Sequence, residues 1–176
     1  MENPFFVLAT QNPIEQEGTY PLPEAQLDRF MLNIKVDYPS FQEEVDIVRN
    51  TTSDAKPQLK KILSTEEILA IQDLIRRIPT TDYVLEYAVN LVAKTRPGGE
   101  KATKEVNEYL SWGAGPRASQ NLILGAKAHA AINGRFSPET DDVKAVAIPI
   151  LRHRILKNYK AEADGLSVEK IIENLL

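Results

Sequence analysis

The chain has no cysteine, which excludes disulfide staples and thiol chemistry. It has no apolar stretch near the ~20 residues needed to cross a bilayer, and Met1-Glu2-Asn3-Pro4 offers no basic region of a signal peptide. A cytoplasmic setting is therefore expected, with no membrane partner. Positive charge is also short: 21 basic against 25 acidic residues leave a net charge of −4, which weighs against nucleic-acid binding by phosphate neutralisation. Histidine is scarce. His129 and His153 fall in different expected helices, without metal-ligand spacing or a nucleophile nearby, so no metal site is expected and neither has an assigned role. Internal repeats and low-complexity tracts are absent. What remains is a hydrophobic fraction of 43% with 26% charged residues, enough for a folded domain over most of the 176 residues.

Two segments read as strands: 5–10, a short apolar run, and 31–36, where apolar and polar residues alternate. Beyond Asp37-Tyr38-Pro39-Ser40 the pattern turns helical, so Pro39 marks a candidate domain boundary. Ser64-Thr65-Glu66-Glu67 has the form of a capping box, followed by Ile68, Ile71, Ile75 and Ile78 at helical spacing until Pro79. Thr80 or Thr81 opens a second helix with Val84, Ala88 and Leu91 on one face, closed by Arg96-Pro97-Gly98-Gly99. Pro116 opens a third that runs to Asn133-Gly134. A fourth starts at Ser137-Pro138 with Val143, Val146, Ala147, Ile150 and Leu151 inward, and Pro149 should kink it. The last spans Val168 to Leu175. Residues 101–112 carry no decisive pattern. Arg152, His153, Arg154, Lys157 and Lys160 cluster near a helix end, where a solvated set of cations would complement the helix dipole; contact with a neighbouring subunit, an acidic partner or a phosphate is the alternative.

Three motifs follow one another: A-T-Q-N-P at 9–13, E-G-T-Y-P-L-P-E-A-Q-L-D-R-F at 17–30, and G-A-G-P-R-A at 113–118. With them the chain resembles the MoxR family of AAA+ ATPases. No G-x-x-x-x-G-K-[ST] phosphate loop is present, and no apolar strand ends in Asp-Glu. The resemblance therefore implies the portion of such an ATPase that follows both Walker motifs. The expected fold is mainly α, a helical lid bundle over 39–176 preceded by a remnant of the α/β P-loop core, about two strands, over 1–38.

The resemblance also implies site roles. Asn12 would hold the attacking water as sensor 1, although Asn-Pro is also a common turn dipeptide. Arg29 would be an arginine finger, for which a planar, permanently charged guanidinium is suited, or else half of a surface Asp-Arg pair. Arg117 would be the sensor 2 arginine, in cis or in trans. Independently of any family, a cation in the first turn behind Pro116 costs about 0.3–1 kcal/mol against the helix dipole, so a ligand phosphate or a carboxylate such as Glu24 or Asp28 is expected beside it. Gly113 and Gly115 would let that ligand approach. Glu15, Glu17 and Glu24 read as loop carboxylates, and Trp112 as a packing anchor.

The expected function is thus that of one part of a ring-forming, chaperone-like ATPase acting on client proteins or von Willebrand factor A domain proteins. ATP and Mg would belong to the full-length parent, with none expected bound to this chain alone and no hydrolysis by it. The alternatives are a nucleotide-independent helical interaction module and, more weakly, a helix-turn-helix DNA-binding domain.

Overall fold

The structure, a computed structural model, describes residues 4–11, 22–54 and 58–176. Its elements run α1 (Glu24–Leu27), α2 (Phe41–Thr51), α3 (Thr65–Arg77), α4 (Asp82–Lys94), α5 (Lys104–Tyr109), β1 (Leu110–Trp112), α6 (Pro116–Ile132), α7 (Thr140–Leu151), β2 (Leu156–Lys157), α8 (Tyr159–Ala163) and α9 (Val168–Leu175). The fold is mainly α, as expected.

Helix starts follow their caps. Ser64 and Glu67 form the reciprocal box at α3, the Ser64 amide donating to the Glu67 carboxylate at 2.6 Å. Ser40 and Glu43 repeat it at α2. The α7 start departs from the Ser137-Pro138 reading: Glu139 and Asp142 cap each other, so the helix begins at Thr140, while the Ser137 hydroxyl donates to the Pro79 carbonyl at 3.2 Å. The helix then continues through Pro149 to Leu151.

The core lies around α6. Ala118, Leu122 and Ala126 are fully buried on it, in one cluster with Val84, Ala88, Leu91 and Val92 of α4 and Val143, Ala147, Ile150 and Leu151 of α7. Gly125 permits the closest approach, since a Cβ there would stand 3.2 Å from both Ile150 Cδ1 and Val146 Cγ2. The α9 stripe of Ile171, Ile172 and Leu175 closes the same core. The α3 stripe is shallower than its spacing suggests: Ile68, Ile75 and Ile78 are half-buried and Ile71 is exposed, because the helix packs mainly against α6 at one edge.

Strands appear elsewhere than expected. Neither 5–10 nor 31–36 is a strand, and Phe6, Leu8 and Val36 are at least four-fifths exposed, since no described segment offers them a ladder. The one sheet among the described residues pairs β1 with β2 antiparallel, Leu110 opposite Lys157. Asn158 holds it, its amide N–H donating to the Tyr109 carbonyl at 2.9 Å and its side chain to the Glu108 carbonyl at 2.8 Å. Among the described residues no helix is long and apolar enough to cross a membrane.

Leu122, fully buried at the centre of α6, tests this core: Leu122→Ala should lower unfolding free energy by about 2–5 kcal/mol in a urea titration. A loss near zero would place the core elsewhere.

Candidate functional site

The approach to α6 is fixed by backbone crowding. The Ala114 amide donates to Thr95 Oγ1 at 3.0 Å, and Arg96 Nε donates to the Ala114 carbonyl at 2.9 Å. A Cβ at Gly113 would lie 2.3 Å from the Thr95 carbonyl oxygen. Gly113 is thus required by the α4 terminus, and the expectation that it admits a ligand is corrected. Gly115 differs, with nothing within 4 Å of the place a Cβ would take. It leaves the α6 N-terminus open ahead of Pro116 and Arg117.

Asp28 meets the arginine of that helix's first turn. Arg117 donates to Asp28 Oδ2 at 2.6 Å, and Arg154 Nε donates to Asp28 Oδ1 at 2.9 Å. The carboxylate beside the α6 N-terminus thereby offsets the unfavourable placement of Arg117 against the helix dipole. Arg117 nonetheless keeps a side chain 47% exposed, with guanidinium surface available to a ligand. Arg29, next to Asp28 in sequence, is exposed and has no ion pair with a described residue. Asn12 lies outside the described residues.

Arg154 has a side chain only 1% exposed. Besides Asp28 Oδ1, its guanidinium donates to the carbonyls of Asp28 at 2.9 Å, Phe30 at 2.6 Å and Met31 at 3.3 Å, and to that of Ile150 one turn back. His153 Nε2 also meets the Phe30 carbonyl at 3.1 Å, and the Asn33 amide donates to the Pro149 carbonyl at 2.8 Å. Lys35 then pairs with Glu169 at 2.5 Å. The solvated reading of the basic cluster is therefore corrected for Arg152, His153, Arg154 and Lys157, which are half-buried or buried; Lys160 remains exposed, paired with Glu108. The carbonyls of a turn need donors, and this cluster supplies them.

A second buried set lies between α6 and α7. Asp142, fully buried, accepts from Arg135 at 2.6 Å and from the Glu139 amide at 2.8 Å, and meets His129 Nδ1 at 2.6 Å. Burial alone would raise its carboxyl, but these partners hold it well below the usual carboxylate range. No nucleophilic side chain joins it through a described contact, and the set reads as a structural ion cluster. Among the described residues no group of side chains could hold a metal ion.

Known proteins share this sequence and geometry. Residues 102–175 match the AAA lid domain, and residues 1–32 match the ATPase family associated with various cellular activities. The whole chain is 41% identical to "Chaperone MoxR1" of Mycobacterium tuberculosis and 35% identical over its full length to "Uncharacterized protein YeaC" of Bacillus subtilis. The chain belongs to the MoxR family of AAA+ ATPases. It covers 46% and 52% of these two relatives, so it spans about half their length. "Protein MoxR" of Paracoccus denitrificans is 28% identical over 85% of the chain and 47% of its own length. A crystal structure of a candidate ATPase from Cytophaga hutchinsonii superposes with a TM-score of 0.91 at 43% identity, covering 99% of this chain and 53% of that one.

In this MoxR-family chain Arg117 is thus tied to Asp28, the residue that precedes Arg29 in the motif. Sequence reasoning offered Asp28 as one partner for Arg117 and missed Arg154, the other partner of Asp28; an arginine three residues past the end of a helix that carries proline near its terminus was the available signal.

The pH response follows from His153. Burial, aided by the positive Arg154 beside it, pushes its imidazole below the ordinary value. The unfolded chain then binds the proton more readily, so stability is full above pH ~6.5 and declines as pH falls through that value toward the folded pKa. Thermal midpoints measured from pH 7.5 to 5 should fall in the native chain and fall less in His153→Gln; equal slopes would contradict the assignment.

Proposed function

We propose that the chain supplies the lid and the inter-subunit half of an ATP-hydrolysing site in a ring-forming MoxR-family chaperone. Residues 1–38 would continue the α/β core and residues 39–176 form the lid. The observation that carries this reading is the ion pair of the half-exposed Arg117 with Asp28, the residue that precedes the exposed Arg29 in the chain, together with the open Gly115 position at the start of α6.

Those residues suit a phosphate: two permanent cations, and a helix N-terminus at which Gly115 leaves space, are the donors such a ligand takes. Bound ATP would supply a terminal phosphoryl group whose charge rises along the reaction. Arg29 would act as the finger, donating two parallel hydrogen bonds to phosphate oxygens of a neighbouring subunit's nucleotide. Arg117 would exchange its Asp28 bond for the phosphate as sensor 2, in cis or in trans. Asn12 would orient the attacking water as sensor 1, which the A-T-Q-N-P motif supports. Magnesium would come with the nucleotide and be held outside this chain. The work extracted would remodel client proteins, a role that the name "Chaperone MoxR1" of the Mycobacterium tuberculosis relative favours, with von Willebrand factor A domain proteins as one class of partner. A cytoplasmic setting accords with the lack of cysteine.

Two experiments test this. In the full-length protein, Arg29→Ala should lower kcat for ATP by about a thousandfold, and Arg117→Ala should also reduce it. Unchanged turnover with intact folding would favour a nucleotide-independent helical interaction module instead. The 176-residue chain alone has no phosphate loop and should show no saturable Mg-ATP binding by calorimetry; tight binding would contradict the assignment.

A further inference from the structure

The residue that touches most of the turn carrying Arg29 is not itself one of the motif residues. Residues 28–31 lie past the end of α1, and the backbone amides of Asp28, Arg29 and Phe30 bond back to Glu24, Gln26 and Leu27 of that four-residue helix, which itself has no buried residue. An isolated turn of this kind would let an exposed arginine sweep a wide volume, and a finger in motion gives little catalysis, because misplacement by about 1 Å can cost on the order of a hundredfold in rate.

The turn is instead gripped from one side. One nearly fully buried guanidinium, that of Arg154, donates to the Asp28 carboxylate and to the carbonyls of Asp28, Phe30 and Met31, so it brackets Arg29 on both sides along the backbone. The same group is tied to its own helix end by the Ile150 carbonyl. Only arginine can do this, since its five N–H donors lie in one rigid fork, whereas a lysine ammonium is a point charge on a flexible stem. His153 and the Asn33 to Pro149 bond extend the grip without touching Arg29. Asp28 then links the clamp to Arg117, whose guanidinium bonds the other carboxylate oxygen.

We infer that Arg154 is a positioning residue for ATP hydrolysis: through Asp28 and the carbonyls of residues 28, 30 and 31 it fixes the turn that presents Arg29, and it binds that turn to the lid helix whose neighbour carries Arg117. The inference rests on the finger role proposed above for Arg29. It assigns Arg154 no contact with nucleotide. Loss of the clamp should therefore act on turnover and leave nucleotide affinity nearly intact.

The test is steady-state ATP hydrolysis by the full-length protein carrying Arg154→Lys, Arg154→Met or Arg29→Ala, with thermal unfolding run on each. Arg154→Lys keeps the charge and loses the fork; it is the variant read first, because Arg154→Met can fail to fold. The expected result for Arg154→Lys is a kcat lower by about tenfold or more with KM for ATP within about threefold, and an unfolding transition that stays cooperative and lies above the assay temperature, although its midpoint falls. Adding Arg29→Ala to Arg154→Lys should then cost little beyond Arg29→Ala alone, because both changes disable one finger. An unchanged kcat in Arg154→Lys, or an effect that simply multiplies with Arg29→Ala, overturns the clamp while leaving the finger reading intact. Full activity of Arg29→Ala by itself overturns the finger reading, and the clamp with it.

Discussion

A buried charge with five acceptors around it organises the functional edge of this molecule. The Arg154 guanidinium is taken out of water almost completely, and burial pulls its pKa down while Asp28 pulls it back up. Such a cation persists only when its donors are satisfied, and breaking a buried pair by removing one partner is strongly destabilising. The Asp28 carboxylate and the carbonyls of Asp28, Phe30, Met31 and Ile150 meet that demand together. The turn that follows the short α1 is thereby bound to the end of α7. Arg29 is presented as a consequence, and Arg117 is drawn to the same carboxylate.

The helical core supplies the platform. Small residues along α6, with Gly125 at the closest approach, let α7 pack near enough that its terminal carbonyls and the residues just beyond them face the turn. Pro149 sits two residues before the end of α7, and its carbonyl receives the Asn33 amide. Glu169 of α9 meets both Lys35 and Arg152, so the last helix of the chain also reaches the first segment. Packing thus converts sequence-distant cations into one arrangement around Asp28.

Much of this was legible in the residues. The capping box at Ser64, the proline at the start of α6, the glycines closing α4 and the period of α9 each state a helix boundary in local chemistry, and those boundaries held. The small sheet was not legible, because β1 and β2 have three and two residues, too short for a period, and depend on Asn158 to bond across to Glu108 and Tyr109. Segments 5–10 and 31–36 carry genuine strand patterns, yet a strand exists only beside a partner, and none of the described residues provides one. At the site, the motifs pointed to Arg29 and Arg117. Arg154 was hidden because a run of basic residues at a helix end has a sufficient local explanation in the dipole, whereas its real role depends on carbonyls more than a hundred residues away.

The claim that Asp28 and Arg154 act as one unit is tested most directly by a double-mutant cycle in the 176-residue chain. Unfolding free energies would be measured by urea for the native chain, Asp28→Asn, Arg154→Lys and the pair. If they form one unit, the coupling is about 1–3 kcal/mol and the second substitution costs far less once the first is present. Additive losses within about 0.5 kcal/mol would mean that the two residues stabilise the fold separately, and the turn bearing Arg29 would then need another explanation.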